Sequence, residues 1–152
     1  MKDLRIMEIS PEKIAELRIK HLELIQAIVA RLANQGATLK NYCITVTTAV
    51  CGFAVTLQHP IVALLALLPI LTFAAVDTKY LSTERRFRAL FDRVRQEDWA
   101  IMPSFEFDHL SVPEASIWAT FLSWSILGFY APLAIGVVVV IGILGAVYGR
   151  SI

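Results

Sequence analysis

Ile117 to Tyr148, IWATFLSWSILGFYAPLAIGVVVVIGILGAVY, runs for 32 residues without one Lys, Arg, Asp or Glu. A hydrocarbon core about 30 Å thick is crossed by about 20 helical residues, so this stretch reads as membrane-spanning. At about 1.5 Å per residue it would extend about 48 Å as one helix, more than the core accepts. Pro132 lies at its middle. Two solutions follow: a single helix kinked at Pro132 whose first turns stay outside the bilayer, or a hairpin of two short spans turning at Phe129 to Pro132. Each half of the hairpin is short for a crossing, which favours the kinked helix.

A second uncharged stretch runs from Asn41 to Val76 and is interrupted by Gln58-His59-Pro60. Turn residues at that point predict two spans joined by a tight connection. The fold class expected is therefore an all-α integral membrane bundle of three transmembrane helices, or four if the last segment is a hairpin. Composition agrees. The chain is 57% hydrophobic with a mean hydropathy of +0.63, above soluble-domain usage, and the remaining polar residues are too few for an independent soluble enzyme. Met1 to Lys40 is charged throughout, which does not fit a secretory signal peptide, so the first span is expected to direct insertion itself.

Charge is divided unevenly. Residues 1 to 40 hold seven Lys and Arg, ending with Arg31 and Lys40, and Lys79, Arg85, Arg86, Arg88, Arg93 and Arg95 follow the second span. The Gln58-His59-Pro60 turn has no Lys or Arg. Because Lys and Arg near span ends stay cytoplasmic, the N-terminus and residues 77 to 116 are expected inside and His59 outside, in a multi-pass protein of the bacterial inner membrane. A single last span would place Arg150 outside.

Four regions result. Residues 1 to 40 form a cytoplasmic segment in which Ser10-Pro11 supplies an N-cap and first-turn proline. Ile14, Leu17, Leu22, Ile25, Ile28, Val29 and Leu32 follow at helical spacing to about Asn34, with Gly36 as the C-cap. Glu16 and Glu23 dilute the basicity suited to anionic lipid, so packing against another helix is expected for this amphipathic segment. Residues 41 to 76 form a transmembrane hairpin. In residues 77 to 116 the second span continues as a stalk with apolar Tyr80, Phe87, Leu90, Phe91 and Val94 along one side, and the N-terminal helix is its expected partner. Glu84 with Arg88 and Arg93 with Glu97 are expected i,i+4 pairs. From Trp99 to Glu114, Pro103 and Pro113 exclude a regular helix, and Phe105, Phe107 and His109 alternate with polar residues as in a short strand. The last region is 117 to 148.

Chemistry-bearing constellations are few. His21, His59 and His109 are scattered, and there is no glycine-rich phosphate loop, metalloprotease helix or nucleophile elbow, so no catalytic residue, metal or cofactor is assigned. Glu106, Asp108 and His109 read as a solvated edge. Cys43 and Cys51 read as small packing residues within the first span. Asp77 is costly near a span end, and an ion pair with Lys79 is its plain explanation.

Two features remain as site candidates. In the first span Asn41, Thr45, Thr48, Gly52 and Thr56 recur at steps of four or three and form one small, polar stripe. It suits either close helix packing or the wall of an aqueous pore in an oligomer. On the stalk Lys79, Arg85, Arg86, Arg88, Arg93 and Arg95 suit an anionic ligand or partner, because guanidinium forks bind phosphate bidentately. Gly128, Pro132, Gly136, Gly142, Gly145 and Gly149 in the last span also favour helix contact, with Gly145 and Gly149 at GxxxG spacing.

KHLELIQAIVARLANQGATLKNY, residues 20 to 42, and YLSTERRFRALFDRVRQ, residues 80 to 96, resemble segments of a group of small bacterial multi-span proteins, with the likeness extending over residues 18 to 96. Some proteins of this kind act as membrane effectors in anti-phage defence, assembling as channels controlled by nucleotide signals. The resemblance implies a channel controlled by nucleotide signals; with the stripe, the stalk cations and the missing catalytic constellation, the expected function is a homo-oligomeric pore rather than an enzyme, gated through its cytoplasmic helices by a nucleotide or oligonucleotide. It carries no residue role across. A non-conducting membrane adaptor, docking a cytoplasmic partner protein and touching otherwise only membrane lipid, is the alternative.

Overall fold

The computed structural model describes residues 10–112 and 116–148. Among them all regular structure is helical: α1 (Pro11–Leu57), α2 (Pro60–Leu64), α3 (Leu67–Gln96), a 3₁₀ turn (His109–Ser111), α4 (Ile117–Phe121) and α5 (Trp124–Tyr148). Ser10 starts α1 as an N-cap, its hydroxyl accepting from the Lys13 N–H at 3.3 Å, with Pro11 in the first turn. The helix then continues for 47 residues, about 70 Å.

Gly36 does not end it. A glycine C-cap needs a left-handed backbone, and no described glycine has positive φ. That conformation appears at Gln58, φ 55°. The Gln58 N–H donates to Val55 O and the His59 N–H to Ala54 O, each at 3.1 Å, which is the Schellman pattern with Gln in the place usually held by Gly. The N-terminal segment and the first expected span are thus one rod.

Past this turn α2 and α3 return along α1, so that the charged ends of α1 and α3 lie side by side and their apolar ends likewise. Three clusters hold the hairpin and α5 together. Ile25 and Val29 meet Phe87, Leu90, Val94 and Val112 at the charged end. Cys43 meets Ile70, Ala74, Ile126 and Tyr130 in the middle, and Ala54 meets Ala63 and Leu144 at the apolar end.

Two helical stretches are long and apolar enough to cross a membrane: Pro60–Gln96, with a mean hydropathy of 2.2 in its most apolar window, and Trp124–Tyr148, with 2.5. Only 33% and 17% of those windows are buried, so much of their apolar surface faces outward. The distal half of α1 is not among them, since Asn41, Thr45, Thr47, Thr48 and Thr56 dilute it. Two candidate spans, rather than three or four, meet this standard. α5 runs unbroken through Pro132, and the interruption falls earlier, at Leu122 and Ser123. Gly149 and Arg150 lie outside the described residues.

No strand forms among the described residues in the segment after α3, contrary to expectation. A lone strand has nothing to pair with, and the aromatic side chains serve instead as anchors on α1 and α3. The Phe105 and Phe107 rings lie 5.1 and 5.5 Å from His21, and His109 stacks on Phe87 at 4.9 Å. Phe105 adopts φ 56° to reach its place, a strained backbone for a bulky residue that the ring contact must offset.

Candidate functional site

Asp77 is a deeply buried charge at the middle of the helical hairpin. It is 2% exposed, and a buried carboxylate is tolerated only when paired and hydrogen-bonded. Its Oδ2 accepts from Lys40 Nζ at 2.6 Å and from the Tyr130 hydroxyl at 3.2 Å. One residue from each of α1, α3 and α5 thereby meets at a single carboxylate. Gly36, one turn before Lys40, makes the approach possible, because a Cβ there would stand 3.1 Å from Asp77 Oδ1. Lys40 Nζ also lies 5.9 Å from the centre of the Phe129 ring, within cation–π range. A cleft of about 310 Å³ opens beside the pair, with Gly36, Lys40, Asp77, Tyr80, Glu84 and Ser125 on its walls.

The pair is not the one expected from sequence. Residues two apart on a helix point to different sides, so Lys79 faces away from Asp77. Lys40 is the right partner for a reason legible in the chain: it lies 18 residues before Gln58, and Asp77 lies 18 residues after His59. An antiparallel hairpin sets them level.

A second polar assembly closes the charged end. Arg18, 1% exposed, donates to Val94 O at 3.1 Å, Glu97 Oε2 at 2.8 Å, Asp98 O at 2.9 Å and Ile101 O at 2.8 Å. A guanidinium at the last turn of α3 complements both the orphan carbonyls and the helix dipole. Glu97 is therefore taken by Arg18 and does not pair with Arg93. His21, one turn on, is buried with neither ring nitrogen hydrogen-bonded among the described residues; its ring acts as a plate for Phe105 and Phe107. No spacing rule pointed to Arg18, His21 or Tyr130, because each acts across more than 75 or 50 residues of chain.

The stalk cations do not converge. Arg93 holds Ser111 through its hydroxyl at 2.8 Å and its carbonyl at 2.9 Å, and Arg85 reaches the Thr120 hydroxyl at 3.3 Å. Arg88 pairs with Glu84 at 2.7 Å, as expected, and Arg95 with Asp92 at 3.4 Å. Lys79 and Arg86 line one groove, on the α4 side of α3. No three metal-ligating side chains come together among the described residues.

The stripe lies on the outside. Asn41, Thr45, Thr48, Gly52 and Thr56 are all exposed, while Cys43, Thr47 and Ala54 of the same helix are buried. Thr45 and Thr56 turn their hydroxyls onto the Asn41 and Gly52 carbonyls, each at 3.0 Å, and nothing stands within 4 Å of a Cβ placed on Gly52. Gly136, Gly142 and Gly145 of α5 are equally open.

The chain matches no protein-family model, no curated protein and no solved structure. Its functional reading rests on its own geometry.

Proposed function

We propose that the chain is a multi-pass protein of the bacterial inner membrane, with α1, α3 and α5 each crossing once and the N-terminus inside, that assembles as a homo-oligomeric channel. One observation carries this reading. The outward face of α5 shows Ile135, Val138, Val139 and Ile143, each more than half exposed, which is what lipid contact favours. The outward face of α1 instead shows Asn41, Thr45, Thr48, Gly52 and Thr56. Small and hydroxylated residues gain little from lipid and much from a close neighbour or a file of water. One subunit is too thin to enclose a conduit, so further copies supply the remaining wall. Control by a nucleotide or oligonucleotide, implied by the resemblance, would act where α1 and α3 are braced together at the charged end.

A non-conducting adaptor is the second reading, favoured by a shallow apolar groove of Leu22, Ala27, Ala30 and Phe91 at the charged end, with exposed Ile19 and Leu24 on the same helix.

Mass measurement in mild detergent, followed by conductance in planar bilayers, separates them. The channel reading expects an oligomer whose current is obstructed by Thr48→Leu or Gly52→Leu. A monomer, or an intact oligomer whose currents ignore both substitutions, removes the stripe as pore wall and leaves the adaptor.

A further inference from the structure

Two hollows adjoin between α3 and α4 and share Lys79 and Ile117. The first, about 380 Å³, is lined by Ala75, Thr78, Lys79, Ile117, Trp118 and Phe121. The second, about 190 Å³, is lined by Lys79, Ser82, Thr83, Arg86 and Ile117. Their order along α3 is informative. The hollow nearer the apolar end is walled by methyl, aliphatic and aromatic groups, and its one hydroxyl, on Thr78, is turned away onto Ala74 O at 2.7 Å. The hollow nearer the charged end brings together an ammonium, a guanidinium and the Ser82 hydroxyl, the Thr83 hydroxyl being turned onto Lys79 O at 3.0 Å.

We propose that this groove binds one anionic phospholipid, its phosphate held by Lys79, Arg86 and the Ser82 hydroxyl and one acyl chain lying along Ala75, Ile117, Trp118 and Phe121. Ammonium and guanidinium groups form charge-assisted hydrogen bonds to phosphate oxygens. Lys79 has no ion pair among the described residues, so its charge is available. Polarity runs in the direction a lipid requires, headgroup beside the first cations after the apolar run of α3 and tail toward that run. Trp118, 76% exposed, lines the groove as an amphipathic ring of the kind that favours the headgroup level. A soluble nucleotide would use the basic half and leave the apolar half unfilled. The proposal needs a membrane-embedded chain but not a conducting one, so it stands or falls separately from the channel reading.

Native mass spectrometry of the full chain in mild detergent, titrated with phosphatidylglycerol or phosphatidylcholine, tests it. The chain should retain one phosphatidylglycerol in preference to phosphatidylcholine. Lys79→Ser with Arg86→Gln should lower the phosphatidylglycerol affinity about tenfold or more, since each cation near a headgroup contributes on the order of 1 kcal/mol. Arg88→Gln with Arg95→Gln should leave it unchanged. Equal retention of both lipids, equal losses in the two double variants, or displacement of the lipid by millimolar glycerol phosphate would overturn the assignment; the last would mark a phosphate site without a tail. Should the double variant fail to fold, quenching of Trp118 in a Trp99→Phe, Trp124→Phe background decides. Brominated phosphatidylglycerol should quench more than brominated phosphatidylcholine, and equal quenching overturns the proposal.

Discussion

Arg18, near one end of α1, makes four hydrogen bonds to the chain around the end of α3, whereas Gly52, near the other, has no atom beyond its own stretch of helix within 4 Å of where a side chain would begin. The contrast extends to the surroundings. At the charged end the 99 to 112 segment folds back over α1 and α3, with Phe105, Phe107 and His109 as anchors and Arg93 as a clasp. At the apolar end α1 packs on α2 through small residues and turns its polar stripe to the outside. The charged end is completed by its own chain, and the apolar end is completed by whatever surrounds it. Burial therefore reports a closed end on one side and an open face on the other.

The largest effect is expected where completion is internal. Arg18→Met keeps the aliphatic bulk but abandons the buried Val94 carbonyl, the part-buried Asp98 and Ile101 carbonyls and Glu97, which should cost about 3 kcal/mol. Protease cleavage within residues 97 to 112 should rise by about a hundredfold, while α5 stays protected. Unchanged cleavage would mean that the aromatic anchors alone hold the segment, and the charged end would then be no more closed than the other.

A middle-sized effect is expected at the boundary between the two ends. Asp77→Asn keeps an acceptor for Tyr130 but strands the Lys40 charge. Because the Lys40 side chain is 23% exposed, it can reach water, and the loss should be about 1 to 2 kcal/mol rather than that of a sealed pair. Adding Lys40→Met should recover part of it. A double variant no better than the single one would show that the carboxylate, rather than the pairing, ties the three helices.

The smallest effect gives the sharpest comparison. Alanine is favoured over glycine in a helix by about 1 kcal/mol. At Gly52, open on all sides in one subunit, Gly52→Ala should raise the thermal midpoint. At Gly36, where the new Cβ would press Asp77 Oδ1 at 3.1 Å, the same change should gain nothing. If Gly52→Ala instead weakens the oligomer in detergent, that glycine lies at a close contact between copies.

Much of this was readable from residue order. The helices after Pro11 and before Gln96, the turn at Gln58, the apolar stretches and the Glu84 to Arg88 pair follow from local periodicity and capping, which act over a few residues. Gly36 was misread because glycine serves two ends, left-handed caps and close approaches, and only the partner distinguishes them. Asp77 was given the wrong cation because sequence adjacency outweighed helical direction. The strand-like alternation at Phe105 to His109 was real as a pattern, but its period described two rings seated on one histidine. Arg18, His21 and Tyr130 depend on neighbours far along the chain, and no local signal announces them.

Gly36 also gives α1 a fulcrum. It is where α1 lies against Asp77 of α3 with no room for a side chain, one turn from the Lys40 pair, and it divides a rod without any break into arms of near-equal length: about 27 Å from Gly36 to Arg18 and about 24 Å from Gly36 to Gly52. Such a rod has the geometry of a balance beam. A tilt about that pivot that presses the Arg18 arm toward α3 swings the Gly52 arm away from its own bundle by almost the same distance, so a small displacement at the braced end is delivered, reversed in sign, to the face that has no neighbour in its own subunit.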